Sequence, residues 1–154
     1  MRTKETTSLV PFVVVVVLVA ALIAYLGWRV YDSPVDEQAA GMVAVRATDV
    51  VVRAGGGNAD ICVNMRDVSA PDEAEDSVRR CEEAAEQAGS AGPGWLGVRD
   101  LRAVEIDVGR HSGSVTVSGT LLTQGPEFPL TFTWPVTRED DHWAISGEPD
   151  VEVG

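Results

Sequence analysis

The chain of 154 residues carries 24 acidic side chains against 12 basic ones, a formal net charge of −12. That length allows one domain with an appendage, and an acidic surface argues against nucleic-acid binding because it repels phosphate backbones. From residue 29 onward the imbalance is steeper, with 10 arginines and no lysine against 23 acids.

The N-terminal segment is nearly pure hydrocarbon. No charged residue lies between Thr6 and Trp28, and a backbone in lipid must satisfy its own hydrogen bonds, which favours a helix. About 20 residues at 1.5 Å each span the hydrocarbon core of a bilayer, and this apolar run is longer than that of a cleaved signal peptide. The pattern therefore predicts an uncleaved transmembrane helix over residues 9–28, after a cytoplasmic tail of residues 1–8.

The orientation of that helix follows from the charges that flank it. Arg2 and Lys4 precede the apolar run and are offset by Glu5, whereas Arg29 after it is followed by Asp32, Asp36 and Glu37, so positive-inside counting gives a slight preference for an N-terminus in the cytoplasm. We expect the rest of the chain outside the cytoplasm. It comprises a linker of residues 29–33, a folded domain of residues 34–148 and a flexible tail of residues 149–154.

Three amphipathic helices are predicted in the first half of the domain. The first begins with Ser33 as N-cap and Pro34 at the first helical position, and it ends at the glycines of residues 55–57. A short second helix starts at Asn58, and a third, with acids in its first turn that complement the helix dipole, ends at Gly89. The spacings of three and four in the first helix define this inward face: Val35, Ala39, Met42, Val43, Ala47, Val50 and Ala54.

Both cysteines fall on inward faces of the second and third helices. In an oxidising compartment Cys62 and Cys81 are expected to pair, which stabilises the fold by roughly 3 kcal/mol. Two buried thiols are the alternative. A redox pair is disfavoured because the cysteines lack a close Cys-x-x-Cys spacing and a neighbouring histidine. A zinc site would need two ligands besides the cysteines, and the isolated His111 and His142 do not form such a site. We therefore predict a structural disulfide, no metal and no cofactor.

From Val98 the hydrophobic period changes from 3.6 to 2, which predicts four antiparallel strands joined by tight turns. Each strand has one apolar face, so the helices must cover that face of the sheet. Pro129 and Pro135 are an even number of positions apart, so the N–H groups that both prolines lack would point to the same side of the third strand. Pairing on that side is therefore expected to be interrupted by a bulge. The predicted inward residues of the first strand are Val104, Ile106 and Val108.

This order of elements resembles the nuclear transport factor 2-like (cystatin-like) superfamily. More narrowly, it is similar to anchored extracytoplasmic domains of high-GC Gram-positive bacteria, in which a Gly-Asn/Asp-x-x-x-Cys motif opens the second helix and a second cysteine lies in the third. The matching stretches are residues 57–62 and 80–83. The resemblance covers about residues 33–148 and implies a cone-like α+β fold, with three helices packed on a curved four-stranded antiparallel sheet.

Three functions follow as hypotheses. Anchored members of the superfamily serve as assembly subunits, which implies a non-enzymatic accessory domain with partners among membrane or envelope proteins. The alternative is small-molecule binding inside the cone, although inward aromatic residues pack a core more often than they line a ligand site. An enzyme needs a buried acid and base, and because Glu105 and Asp107 alternate onto the polar face no catalytic residue is predicted. The candidate pocket residues are Phe132, Trp134, Trp143 and Trp95.

Overall fold

A computed structural model describes residues 10–31, 36–91 and 96–154. By compactness the chain divides into two units, Met1–Pro34 and Val35–Gly154. Among the described residues the chain is α+β, with four α-helices and an open antiparallel sheet of five strands. The predicted fold class is confirmed at that level.

In the first unit, α1 is a helix of 22 residues, Val10–Tyr31. It continues past the predicted boundary at residue 28, so residues 29–31 are helical rather than part of a linker. The side chains of α1 are described over residues 13–27, where the large apolar ones are exposed. No helix in the described part of the chain meets the length and apolarity required of a membrane span. The membrane span stays a prediction.

In the second unit, α2 comprises Glu37–Gly55. The predicted start was wrong, because the carboxylate of Asp36 is the N-cap and accepts a hydrogen bond from Ala39 N at 3.0 Å. Ser33 and Pro34 lie outside the described residues. The predicted end is confirmed, since α2 stops at Gly55 and Gly57 then adopts a φ of +100°, which favours glycine.

The buried face of α2 is built from small residues. Ala47, Val50 and Ala54 are buried as predicted, but Met42 is 59% exposed and was assigned to the wrong face. Small side chains let the helix backbone approach the sheet closely: a Cβ at Gly41 would lie 3.0 Å from Ile106 Cδ1. The remaining buried members of this face are Ala40, Gly41, Ala44, Thr48 and Val52.

The predicted second helix is a 3-10 helix, Ala59–Asn64, followed by the single turn of α3, Met65–Val68. The predicted third helix is α4, Ala74–Ala91, which runs slightly past Gly89. Cys62 and Cys81 are buried and form a disulfide with a Cα–Cα distance of 5.6 Å, which confirms the predicted pair. The disulfide ties the 3-10 helix to α4.

The surface of α4 is crossed by ion pairs. Arg79 donates hydrogen bonds to Asp76 at 2.9 Å and to Glu83 at 3.2 Å. The guanidinium beside it holds the pKa of Asp76 below its ordinary value of 3.8, chiefly through the hydrogen bond and then through the charge. Such exposed pairs contribute little to stability.

The sheet is a meander with a split edge. In chain order its strands are β1 (Gly97–Val108), β2 (Ser112–Leu122), β3 (Phe128–Glu139), β4 (His142–Ile145) and β5 (Asp150–Val153). The order is β1-β2-β3, and both β4 and β5 pair with the far side of β3. The expected flexible tail was therefore wrong over residues 150–153, which form β5.

The two prolines of β3 explain the split. Pro135 O accepts from Ser146 N and Pro129 O accepts from Gly154 N, each at 3.0 Å, so both prolines direct their carbonyls, and hence their missing N–H groups, to this side. The predicted interruption is confirmed. The predicted bulge was wrong, because two short strands take its place: β5 pairs residues 130–133 and β4 pairs residues 136–139.

Bulges occur in β1 instead. The β1–β2 register shifts between Arg99 and Arg102 and again between Ala103 and Glu105. The second shift makes Val104 an extra residue of β1 without a partner in β2, and its side chain turns away from the core and is 52% exposed. The prediction that Val104 faces inward was therefore wrong. Ile106 and Val108 are half-buried and pack against the core as predicted.

Candidate functional site

The predicted pocket aromatics lie in the core. Phe132, Trp134 and Trp143 expose 5%, 2% and 6% of their surface. The rings of Phe132 and Trp134 stack with their centroids 6.1 Å apart and their planes 10° apart. Trp95 lies outside the described residues. The three described rings therefore serve first as packing between the sheet and the helices.

A buried hydrogen-bond chain joins Trp134 to α2. Trp134 Nε1 donates to Thr48 Oγ1 at 2.8 Å, and Thr48 Oγ1 donates to Ala44 O at 2.9 Å. Thr48 is fully buried, so its hydroxyl requires these partners. These two hydrogen bonds fix the rotation of α2 over β3, and Trp134 is also one of the residues that line a cavity.

That cavity, here called the Trp134 cavity, has a volume of about 270 Å³ and lies between α4 and the C-terminal segment. Its apolar walls include Trp134, Met65, Cys81 and Val151. The polar side chains that line it are Ser77, Arg80 and Glu148. Arg80 Nε lies 3.6 Å from Glu148 Oε1, and Arg80 Nη2 donates to Ser77 Oγ at 3.4 Å. An apolar hollow beside an arginine suits a small molecule with an apolar body and an anionic head.

A second feature, here called the α2 groove, follows the exposed stripe of α2. One hollow of about 540 Å³ and another of about 410 Å³ share Val45 and Arg46 as lining residues. Arg53 Nε lies 3.0 Å from Asp49 Oδ1, whereas Arg46 has no ion-pair partner among the described residues. Exposed Met42 lines the apolar end. Arginine and methionine are enriched at protein interfaces, so the chemistry of the α2 groove suits a protein partner.

The described residues include no buried acidic or basic side chain that could serve in general acid–base catalysis. Their buried polar side chains are Thr48, Ser69 and Ser77, with no Asp, Glu or His among them. His142 is exposed, with Nδ1 2.8 Å from Asp140 O, and His111 lies exposed in the turn before β2. Within the same described ranges no group of three or more His, Cys, Asp or Glu side chains could hold a metal ion.

Arg80 and Val151 line the Trp134 cavity but were not among the pocket residues predicted from the sequence. Arg80 has the appearance of an ordinary surface residue of an amphipathic helix, and Val151 falls in the segment expected to be flexible. The alternation of Val151 and Val153 with acids was the available signal for a strand.

Comparison of the chain with protein-family models, with curated proteins and with solved structures finds no match.

Proposed function

We propose that this protein is a membrane-anchored, non-enzymatic interaction domain that acts outside the cytoplasm as an accessory subunit of an envelope transport, secretion or wall-associated assembly. The proposal rests on where the polar and apolar side chains lie. In the described residues the core is apolar apart from three hydroxyl side chains, and every carboxylate and imidazole is at least partly exposed to solvent. A protein built this way acts through its surface.

The membrane anchor and the cone-like arrangement of the domain are parts of the same proposal. Residues 9–28 are the membrane span, supported by the absence of charge between Thr6 and Trp28 and by the exposed apolar side chains of α1. The disulfide supports an oxidising compartment. Helices on one face of an open antiparallel sheet support the cone-like, nuclear transport factor 2-like arrangement.

Photo-cross-linking in native membranes tests the interaction role. A photoreactive residue replaces Arg53 in the α2 groove or, as the matched control, Arg79 on α4; both side chains are 61% exposed and both are ion-paired. We expect a discrete adduct from position 53, with a mass other than twice that of the chain, and none from position 79. Equal labelling from both positions, or no adduct from position 53, contradicts the proposal.

A second candidate function is small-molecule binding in the Trp134 cavity, favoured by its apolar walls and by Arg80. Octanoate is expected to shift the NMR signal of the Trp134 indole N–H more strongly than octanol does, because its carboxylate pairs with Arg80. Arg80→Gln is expected to reduce the octanoate effect to that of octanol. Absence of a shift with either compound at millimolar concentration eliminates this candidate.

A further inference from the structure

The outward side chains of β1 carry an ordered pattern of charge. Arg99, Arg102, Glu105 and Asp107 lie opposite Thr120, Ser118, Thr116 and Ser114 of β2, one every two residues. In the sequence their spacing is uneven, but the two bulges absorb the extra residues and space the four side chains evenly along the edge. Of these four side chains the first two along the strand are basic and the last two are acidic, and Asp100 lies in the first bulge beside Arg99.

This pattern is complementary to itself under a two-fold rotation. If a second β1 runs antiparallel to the first, with the axis level with Ala103, Arg102 faces Glu105 of the second copy and Arg99 faces Asp107 of the second copy. Each contact occurs twice, which gives four pairs of opposite charge. Opposite charges across neighbouring strands are favourable, and like charges are not.

We propose that the free edge of β1 binds a second copy of this chain, in an antiparallel two-fold arrangement. β1 is the end strand of the sheet, and β2 covers one of its sides. Within the described residues Arg102, Glu105 and Asp107 have no ion-pair partner, whereas Arg99 is paired with Asp100 and with Glu127, so the contacts of Arg102 with Glu105 nearest the axis are the ones that decide the register. The other end of the sheet repels a second copy, because the outward side chains of β5 are Asp150 and Glu152. This inference goes beyond the proposed role and does not rest on it.

The centre of the proposed interface is apolar. Val104, the extra residue of the second bulge, is 52% exposed and lies next to the axis. Ala103, which is level with the axis, and Ile106 also line the hollow of about 410 Å³ at the apolar end of the α2 groove. An apolar centre with charged flanks is the usual anatomy of a protein interface. The bulges keep main-chain pairing between the copies short, so the side chains set the register.

Charge exchange tests the arrangement on the full chain in mild detergent, with mass measured by light scattering. The wild type is expected to be a dimer. Arg102→Glu sets two like-charged pairs at the axis and is expected to weaken the dimer by roughly tenfold or more, as is Glu105→Arg. The double variant restores opposite charges and is expected to regain wild-type affinity. A monomeric wild type, or a double variant weaker than either single variant, overturns the proposal.

Cysteine cross-linking in native membranes locates the axis. Val104→Cys is expected to give a disulfide-linked dimer on a non-reducing gel. The matched control is Val153→Cys, 59% exposed on β5 at the opposite end of the sheet, and it is expected to stay monomeric. Cross-linking of the control at the same yield, or of the control alone, rejects the β1 edge as the interface.

Discussion

Replacement of Trp134 by alanine is expected to lower the free energy of unfolding by about 3–5 kcal/mol, measured by denaturant titration of the full chain in detergent. Trp134 is 2% exposed, stacks on Phe132 and pairs across the sheet with Val115. Its removal leaves a large void between sheet and helices, and a packed interior relaxes only in part. It also removes the indole N–H group that donates a hydrogen bond to Thr48 Oγ1 in the core.

Two tryptophan-to-phenylalanine variants separate the hydrogen bond from the volume. Trp134 Nε1 donates to buried Thr48, whereas Nε1 of Trp143, which is also buried, has no hydrogen-bond partner among the residues that the structure describes. Trp143→Phe therefore reduces volume and removes an N–H group without breaking a hydrogen bond, whereas Trp134→Phe leaves a buried acceptor without its donor, at an added cost of about 1–3 kcal/mol. Equal losses in the two variants would contradict the role assigned to this hydrogen bond.

A double-mutant cycle measures the same bond directly. Thr48→Val removes the acceptor and leaves the indole N–H unpaired, so it is expected to destabilise the protein by about 1–3 kcal/mol. In the Trp134→Phe, Thr48→Val double variant both polar partners are gone. The combined loss is expected to be smaller than the sum of the single losses, and strict additivity would show that the two side chains do not interact.

Replacement of both cysteines by serine, Cys62→Ser with Cys81→Ser, is expected to lower the free energy of unfolding by about 3 kcal/mol. The disulfide closes a loop across a sequence separation of 19 residues and restricts the unfolded chain, while in the folded state it joins the 3-10 helix to α4. The readout is the free energy of unfolding from denaturant titration, with the midpoint and the slope both fitted, because loss of the disulfide also changes how much surface the unfolded chain exposes.

Reductant supplies the control for that prediction. Added reductant is expected to lower the wild-type midpoint toward that of the double variant and to leave the double variant unchanged. A double variant as stable as the oxidised wild type would mean that the helices alone hold this side of the domain, and the disulfide would lose its structural role.

Much of the fold could be predicted from regular hydrophobic spacing and from a few residues with a strong local preference. The two cysteines on inward faces, the alternation in β2 and β3, and the matched parity of Pro129 and Pro135 each led to a feature that the structure confirms. In each case one strong local preference, either burial or a missing N–H group, decides the outcome without help from distant contacts.

The errors arise where the chain departs from a simple period or uses small residues. Met42 is the larger apolar side chain, yet the sheet takes the Ala40 and Ala44 face of α2, because small residues allow the backbones to approach. Val104 was misplaced because a bulge changes the parity of β1, and the local sequence carries no glycine to mark it. Both outcomes depend on tertiary packing, which periodicity alone does not contain.

The candidate site could be predicted only in part for the same reason. Trp134 was found because an inward aromatic residue on a strand is visible in the sequence. The cavity beside it depends on the return of β5 to β3 and on the approach of Arg80 to Glu148, which are separated by many residues in the chain. The α2 groove depends on which face of the helix the sheet covers.

We expect the folded domain to lie in an oxidising compartment, with Cys62 and Cys81 joined by a disulfide. The most direct measurement is thiol alkylation in intact cells of the native host, followed by denaturation in alkylating agent without reductant and mass spectrometry of the full chain. We expect no alkylation at Cys62 or Cys81, and a mass two hydrogens below that of the dithiol form. Alkylation of both cysteines would contradict this expectation, since it would place the domain on the reducing side.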